Sequence, residues 1–281
     1  MPCRVPIRLI VADLDGTLLN SDHVVSPFTE RTVREAVRRG VLFTIATGKT
    51  FSSAVDIIRQ FDIRIPVICT NGVQIFEPDG TLLHADPIQR DYAIEGVRIG
   101  LAAGFTPVVY TEMGLLSTTL DENVQELLAH NEPVPEIIPD LEAALANERM
   151  PYKLMLMQRD LDAVADFQLL LEEVFRGRAQ VVRSGLASLI EVMPLGVTKG
   201  TALAFILDHV GIAPEETICF GDNCNDLDMI RRAGIGVAMG HSPEDLRKNA
   251  DYVTETNDED GVGHALCKFV LSPDGIDTAK S

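Results

Sequence analysis

The stretch Arg8 to Leu19 restricts the fold of this chain more than any other. It opens with the uninterrupted apolar run Leu9-Ile-Val-Ala12, which reads as a strand buried on both faces of a parallel sheet. The run then breaks into Asp13-Leu14-Asp15-Gly16-Thr17. Two carboxylates at the carboxyl end of a buried strand are costly unless hydrogen-bonded, paired or metal-bound. In open α/β sheets that edge is where ligands bind. Gly16 lets the chain turn where a side chain would block close approach. Taken alone, the same residues also suit a turn carrying two solvated aspartates.

The rest of the chain repeats the rhythm. Ser26-Pro27 reads as an N-cap with proline at the first helical position, and Gly40 ends that helix. Val41–Thr47 is a second apolar strand, a helix follows through Gln60, and Pro66–Thr70 is a third strand ending in Asn71-Gly72. This βαβαβ order is that of a parallel sheet wound with helices. Residues 73–84 then read as a β-hairpin around Asp79-Gly80. Residues 83–190 mix helices (88–103, 121–130, 161–175) with strands (106–110, 152–157, 179–183, 187–193). Thr198 to Val210 restores the first rhythm as a helix, and Glu216–Phe220 is a strand ending in Gly221-Asp-Asn-Cys-Asn-Asp226. Shorter elements carry the chain to a polar tail from Ser272, expected to fray. The expected class is α/β: a Rossmann-like, doubly wound parallel-sheet core from residues 1–82 and 191–281, with an inserted α+β cap domain at 83–190.

Composition excludes several functions. No apolar run is long enough to span a bilayer, and the N-terminus leads directly into the first strand, leaving no room for a signal peptide. The five cysteines (Cys3, Cys69, Cys219, Cys224, Cys267) are odd in number and contain no CxxC, which suits a reducing cytoplasm. The six histidines show no metal-ligand spacing. A formal net charge of −18 repels nucleic acid and anionic membranes, so neither is an expected partner. It repels an anionic small molecule too, so a phosphate site must supply positive charge locally. The insert, with 17 acidic and 8 basic residues, carries −9 of that total. Oligomeric state is not legible.

Four polar clusters fall at strand ends or a helix start: Asp13/Asp15, Thr47-Gly48, Lys199 and Asp222/Asn225/Asp226. Strand ends of one polarity share one edge of a parallel sheet, so these clusters can converge. Up to four aspartates would then crowd one crevice, and like carboxylates cannot all ionise without compensation. Mg²⁺, a hard cation that takes one or two carboxylates plus substrate phosphate and water, is the natural remedy. With the metal and Lys199 the nominal sum is about −1, and protonating one aspartate brings it to zero. An aspartate can attack phosphorus, a second can act as acid and base, and hydroxyl, amide and ammonium donors can hold the equatorial oxygens. Taken singly, Asp222 and Asp226 also fit a solvated turn and an N-cap.

Asp13-Leu-Asp-Gly-Thr-Leu18 resembles motif I of the haloacid dehalogenase superfamily of aspartate-nucleophile phosphatases. Thr47-Gly48 is similar to its motif II, Lys199 to motif III, and Gly221-Asp-Asn-Cys-Asn-Asp226 with Met229 to motif IV. The insert between motifs II and III resembles the C2-type (IIB) cap of the Cof subfamily. Asn71-Gly72 and Asp258-Glu-Asp-Gly-Val262 also look like Cof members. The resemblance covers nearly the whole chain. It implies that Asp13 is the nucleophile and Asp15 the general acid/base. It implies Mg²⁺ ligands from the Asp13 carboxylate, the Asp15 backbone carbonyl and Asp222. Phosphate contacts would come from Thr47, Gly48, Lys199 and Asn225, with Asp226 orienting Lys199 or a metal-bound water. Motif II here reads Thr-Gly-Lys where the family commonly has Thr-Gly-Arg, and Lys49 lacks the planar fork of arginine.

The expected function is Mg²⁺-dependent hydrolysis of small phosphate esters, sugar phosphates above all, in the cytoplasm, through an aspartyl-phosphate. Two alternatives stand beside it. A phosphomutase would need clustered arginines in the cap, and Arg176, Arg178 and Arg183 are candidates. A non-catalytic phospho-accepting module would need neither Asp15 nor so large an insert.

Overall fold

The computed structural model describes residues 5–147, 149–183 and 187–272; Cys3 and the tail beyond Ser272 lie outside them. The chain forms two compact units. One holds the segments up to Thr47, Asp56–Thr81 and from Thr198 onward; the other holds Gly48–Val55 and Leu82–Val197.

The first unit begins with β1 (Leu9–Ala12), α1 (Pro27–Arg38), β2 (Leu42–Ile45), the helix α2 (Phe51–Gln60, shared with the second unit), β3 (Val67–Cys69) and β4 (Gln74–Phe76). All four residues of β1 are fully buried, as the unbroken apolar run requires. The Ser26 hydroxyl accepts from the Thr29 amide at 3.1 Å, and Pro27 opens α1 where its missing N–H costs nothing. β4 turns back antiparallel on β3.

The second unit contains β5 (Leu82–Ala85), α3 (Arg90–Ala102), β6 (Thr106–Thr111), β7 (Gly114–Ser117), α4 (Glu122–Ala129), β8 (Glu136–Ile137), α5 (Leu141–Asn147), β9 (Pro151–Met157), α6 (Leu161–Val174), β10 (Ala179–Val182) and β11 (Leu189–Pro194). Six of its strands form one sheet in the order β10-β11-β9-β6-β7-β8, antiparallel except for the last pair. Alternation sorts its side chains. Val109, Leu154, Leu156, Ile190 and Val192 join Val97, Phe167 and Leu171 of α3 and α6 in one apolar core. The intervening residues Tyr110, Lys153, Met155 and Glu191 occupy the opposite face and are buried as well. The sequence reading has no β7, β8 or α5.

The chain then returns as α7 (Lys199–Val210), β12 (Thr217–Gly221), α8 (Leu227–Arg232), β13 (Ile235–Ala238), α9 (Glu244–Asn249), β14 (Tyr252–Val253) and α10 (Gly261–Leu266). The core sheet is parallel throughout, in the order β14-β13-β12-β1-β2. α1 packs with α10, and α7 with α8, as the layers of a doubly wound sheet. Register fixes the site. Ala12 lies beside Ile45 on one side and Phe220 on the other, so Asp13, Ala46-Thr47 and Gly221-Asp222 leave the sheet at the same edge. The edge continues to β3 through an Ala46–Ile68 bridge.

Candidate active site

Asp13 follows the last residue of β1, and its amide donates to the Phe220 carbonyl at 3.0 Å, tying motif I to β12. Lys199 opens α7, whose N-cap Thr198 accepts from the Thr201 amide at 3.0 Å. A cation at a helix N-terminus opposes the dipole. The compensation is direct: Lys199 Nζ donates to Asp13 Oδ1 at 2.7 Å and to Asp226 Oδ1 at 2.7 Å, with its side chain 0% exposed. Asp226 is fully used, since its Oδ2 accepts from the amides of Asp222 and Asn223 at 3.0 Å each. It holds the motif IV loop and the ammonium in one geometry.

Asp222 is placed by motif I itself. Thr17 Oγ1 donates to Asp222 Oδ1 at 2.8 Å. Gly16 has φ +77°, and a Cβ there would stand 2.6 Å from Asp222 Oδ2. Asn225 donates to Asn71 Oδ1 at 2.9 Å. Thr47, buried, receives the Asn71 amide on its carbonyl at 2.9 Å. Asp15 is half-exposed, with His23 Nδ1 3.6 Å from its carboxylate. Asp13, Lys199, Asp222 and Asp226 are therefore brought together, and Thr47 and Asn225 are linked through Asn71. Gly48 falls in the other compact unit, where its carbonyl accepts from Lys153 Nζ at 3.1 Å. Lys49 is buried there, its ammonium bonded to the His130 carbonyl.

The electrostatics call for a cation. Burial holds the Asp13 carboxyl well above the usual carboxylate range; Lys199 opposes this, while Asp226 and Asp222 reinforce it. Asp226 is raised too, by burial first, with Lys199 opposing. Burial would lower Lys199, but the charges of Asp13 and Asp226 outweigh it and raise it. One ammonium does not neutralise three carboxylates. Oxygens of Asp13, Asp222 and Asp226 lie within 4.8 Å of one another, an all-oxygen donor set that suits a hard divalent cation. With Asp226 committed to Lys199 and two amides, Asp13 and Asp222 are the carboxylates that could hold such a cation.

The family model for haloacid dehalogenase-like hydrolases matches residues 10–266. This chain belongs to that family. It is a Cof-type phosphatase of the haloacid dehalogenase superfamily. The 5-amino-6-(5-phospho-D-ribitylamino)uracil phosphatase YcsE of Bacillus subtilis is 29% identical over 95% of this chain and 97% of its own length. A chloroplastic endoribonuclease YBEY of Arabidopsis thaliana is 28% identical over 93% of this chain, which spans only 46% of that protein. Among solved structures, a haloacid dehalogenase-like hydrolase from Bacteroides thetaiotaomicron superposes with a TM-score of 0.83 at 27% identity, over 92% of this chain and 98% of that one.

Several residues of this haloacid dehalogenase-like site carry no signal in local pattern. Thr17 stands in the sequence only as part of motif I, and Asn71 as the end of the third strand, neither with a partner assigned. His241 approaches Asp222 at 3.8 Å from a loop with no metal-ligand spacing. Asp258 and Asp260 serve other partners among the described residues. Asp258 accepts from the Ser21 amide and hydroxyl at 2.7 Å each, and Asp260 bonds to Ser26 and Thr29 at the start of α1.

Proposed function

We propose that this phosphatase hydrolyses small phosphorylated metabolites, sugar phosphates among them, through an aspartyl-phosphate on Asp13, with Mg²⁺ as its cofactor. The observation that carries the reading is the buried Asp13–Lys199–Asp226 bridge with Asp222 beside it. A nucleophilic carboxylate in a desolvated pocket has lost the hydration that would blunt its attack. Asp13 attacks phosphorus, and the P–O bond to the leaving group breaks. Asp15, half-exposed where solvent reaches it, gives the departing alkoxide a proton. It then takes a proton from the water that attacks the aspartyl-phosphate, which frees Asp13 and inorganic phosphate. An ammonium has three N–H donors. Two of those on Lys199 go to Asp13 and Asp226, which leaves one for a phosphate oxygen. Thr47, the Gly48 amide and Asn225 are the further phosphate contacts we assign. Asp13, Asp222 and the Asp15 carbonyl would hold Mg²⁺, which when bound supplies positive charge toward the phosphate oxygens.

We assign residues 83–190 as the cap that selects the leaving group. The name of the Bacillus relative, a phosphatase of a phosphorylated ribityl compound, supports a polyol or sugar phosphate. No observation favours a mutase: Arg176, Arg178 and Arg183 bond separately to Glu173, Glu95 and the Ala187 carbonyl. The test is hydrolysis of p-nitrophenyl phosphate and of a panel of phosphorylated metabolites, read as kcat/KM. Excess chelator should abolish activity and Mg²⁺ restore it. Asp13→Asn should leave less than about a thousandth of wild-type kcat, and Asp15→Asn should accumulate acid-stable radiolabel from a phosphorylated substrate more slowly than it forms in wild type. Full activity in chelator, or an active Asp13→Asn, overturns the reading.

A further inference from the structure

The segment Gly48–Val55 belongs by contact to the insert, not to the strand it leaves. Side chains of the insert hold it from several directions. Lys153 Nζ donates to the Gly48 carbonyl at 3.1 Å and to Glu191 Oε1 at 2.7 Å, and lies 4.1 Å from the centre of the Tyr110 ring. The Tyr110 hydroxyl donates to Glu132 Oε1 at 3.1 Å. Glu132 in turn accepts from Thr50 Oγ1 at 2.9 Å, Ser53 Oγ at 2.8 Å and the Thr50 amide at 3.3 Å. Lys49 closes the set on the His130 carbonyl.

This network is an expensive way to stabilise a sheet. Lys153 and Glu191 stand on neighbouring central strands with side chains 2% and 4% exposed. Replacing such a pair by apolar residues of similar size is often neutral or stabilising. The geometry shows what an apolar pair would not do. Gly48 has no side chain to limit its rotation. The peptide plane before it, which carries the Gly48 N–H, is held by the Asn71 amide on the Thr47 carbonyl at 2.9 Å. The plane after it is held by Lys153 on the Gly48 carbonyl. With both planes held, Gly48 cannot rotate about its own φ and ψ, and the loop leaves the strand in one direction.

We propose that Lys153 and Glu132 are positioning residues for the phosphate-binding loop: acting from the insert, they fix the backbone of Gly48–Ser53, so that the loop led by the Gly48 amide is ordered before phosphate arrives. This rests on the reading of Gly48 as a phosphate contact. A donor aimed in advance binds phosphate without ordering the loop at each turnover. The residues that choose the leaving group and those that set the loop then share one unit.

The test uses the intact chain and two kinds of variant. In Lys153→Met/Glu191→Leu the charge pair is replaced, and in Glu132→Leu the acceptor is lost; Glu132→Gln keeps an acceptor oxygen for Thr50 and Ser53. Hydrogen exchange at the amides of residues 49–53 reads the loop without turnover. The expected result is loss of protection there in the first two variants. In them KM for p-nitrophenyl phosphate and the inhibition constant of inorganic phosphate should both rise about tenfold, the scale of one charged hydrogen bond. Melting temperature should stay unchanged or rise in the double variant, and Glu132→Gln should stay within about threefold of wild type. Unchanged protection, or KM and inhibition constants within about twofold of wild type despite lost protection, overturns the proposal. A wild-type chain that hydrolyses no phosphate ester overturns the functional reading instead, and the exchange result tells the two failures apart.

Discussion

At the scale of single residues, Gly16 bears most directly on metal binding. A Cβ added there meets Asp222 Oδ2 at 2.6 Å, and φ +77° is strained for any L side chain. Gly16→Ala must therefore displace the Asp222 carboxylate from its present position. The fold should survive, since Gly16 lies in a turn beyond β1. We expect kcat to fall about a hundredfold, as misplacement by an ångström does, and the Mg²⁺ concentration for half-maximal rate to rise. A Mg²⁺ titration of the variant checks this; an unchanged midpoint would mean that Asp222 does not hold the metal. The carboxylates and Lys199 were legible because burying charge at a strand end or helix start breaks a local rule. The Asn225–Asn71 bond was not, because its partners are 154 residues apart and neither breaks any rule where it stands.

At the scale of elements, the turn after β3 departs most from expectation. Asn71-Gly72 reads as the end of the third strand, yet Thr70, Asn71 and Gly72 all have positive φ, at 53°, 57° and 100°. Two consecutive non-glycine residues in the left-handed region cost energy and persist where surroundings enforce them. Here the enforcing contacts are the Asn225 bond to Asn71 and the close approach of Gly72 to α7. A Cβ on Gly72 would lie 2.3 Å from the Thr198 carbonyl, one residue before Lys199. Gly72→Ala should cost about 2–3 kcal/mol of stability and, by moving the start of α7, lower kcat beyond what unfolding explains. Urea melts with kcat measured well below the transition separate the two effects. The longer elements were legible from periodicity and caps; β7, β8 and α5 are too short to establish a period.

At the scale of the molecule, the change of rhythm near residue 83 leads to the expectation of an insert, but nothing in the sequence groups residues 48–55 with Leu82–Val197, as the contacts do. That grouping depends on Glu132 and Lys153, which read as a loop residue and a strand residue. Net charge, by contrast, is wholly legible and has a kinetic consequence. The chain carries −18, while the proposed site, counting four aspartates, Lys199 and a bound Mg²⁺, would sum nominally to about −1. A phosphate dianion is thus repelled by the whole molecule more than by the place where it binds. Which field it feels depends on screening. The Debye length is about 30 Å at 10 mM salt and about 8 Å at 150 mM. At low salt the approaching ester meets charge from all over the surface; at physiological salt it meets little beyond the site. With Mg²⁺ held saturating, KM for an anionic ester should fall about two- to fivefold as salt rises over that range. kcat should change little, because the bound state is governed by short contacts. A KM that rises with salt would show that local positive charge at the site controls capture, and that the distant carboxylates have no influence on the approaching ester.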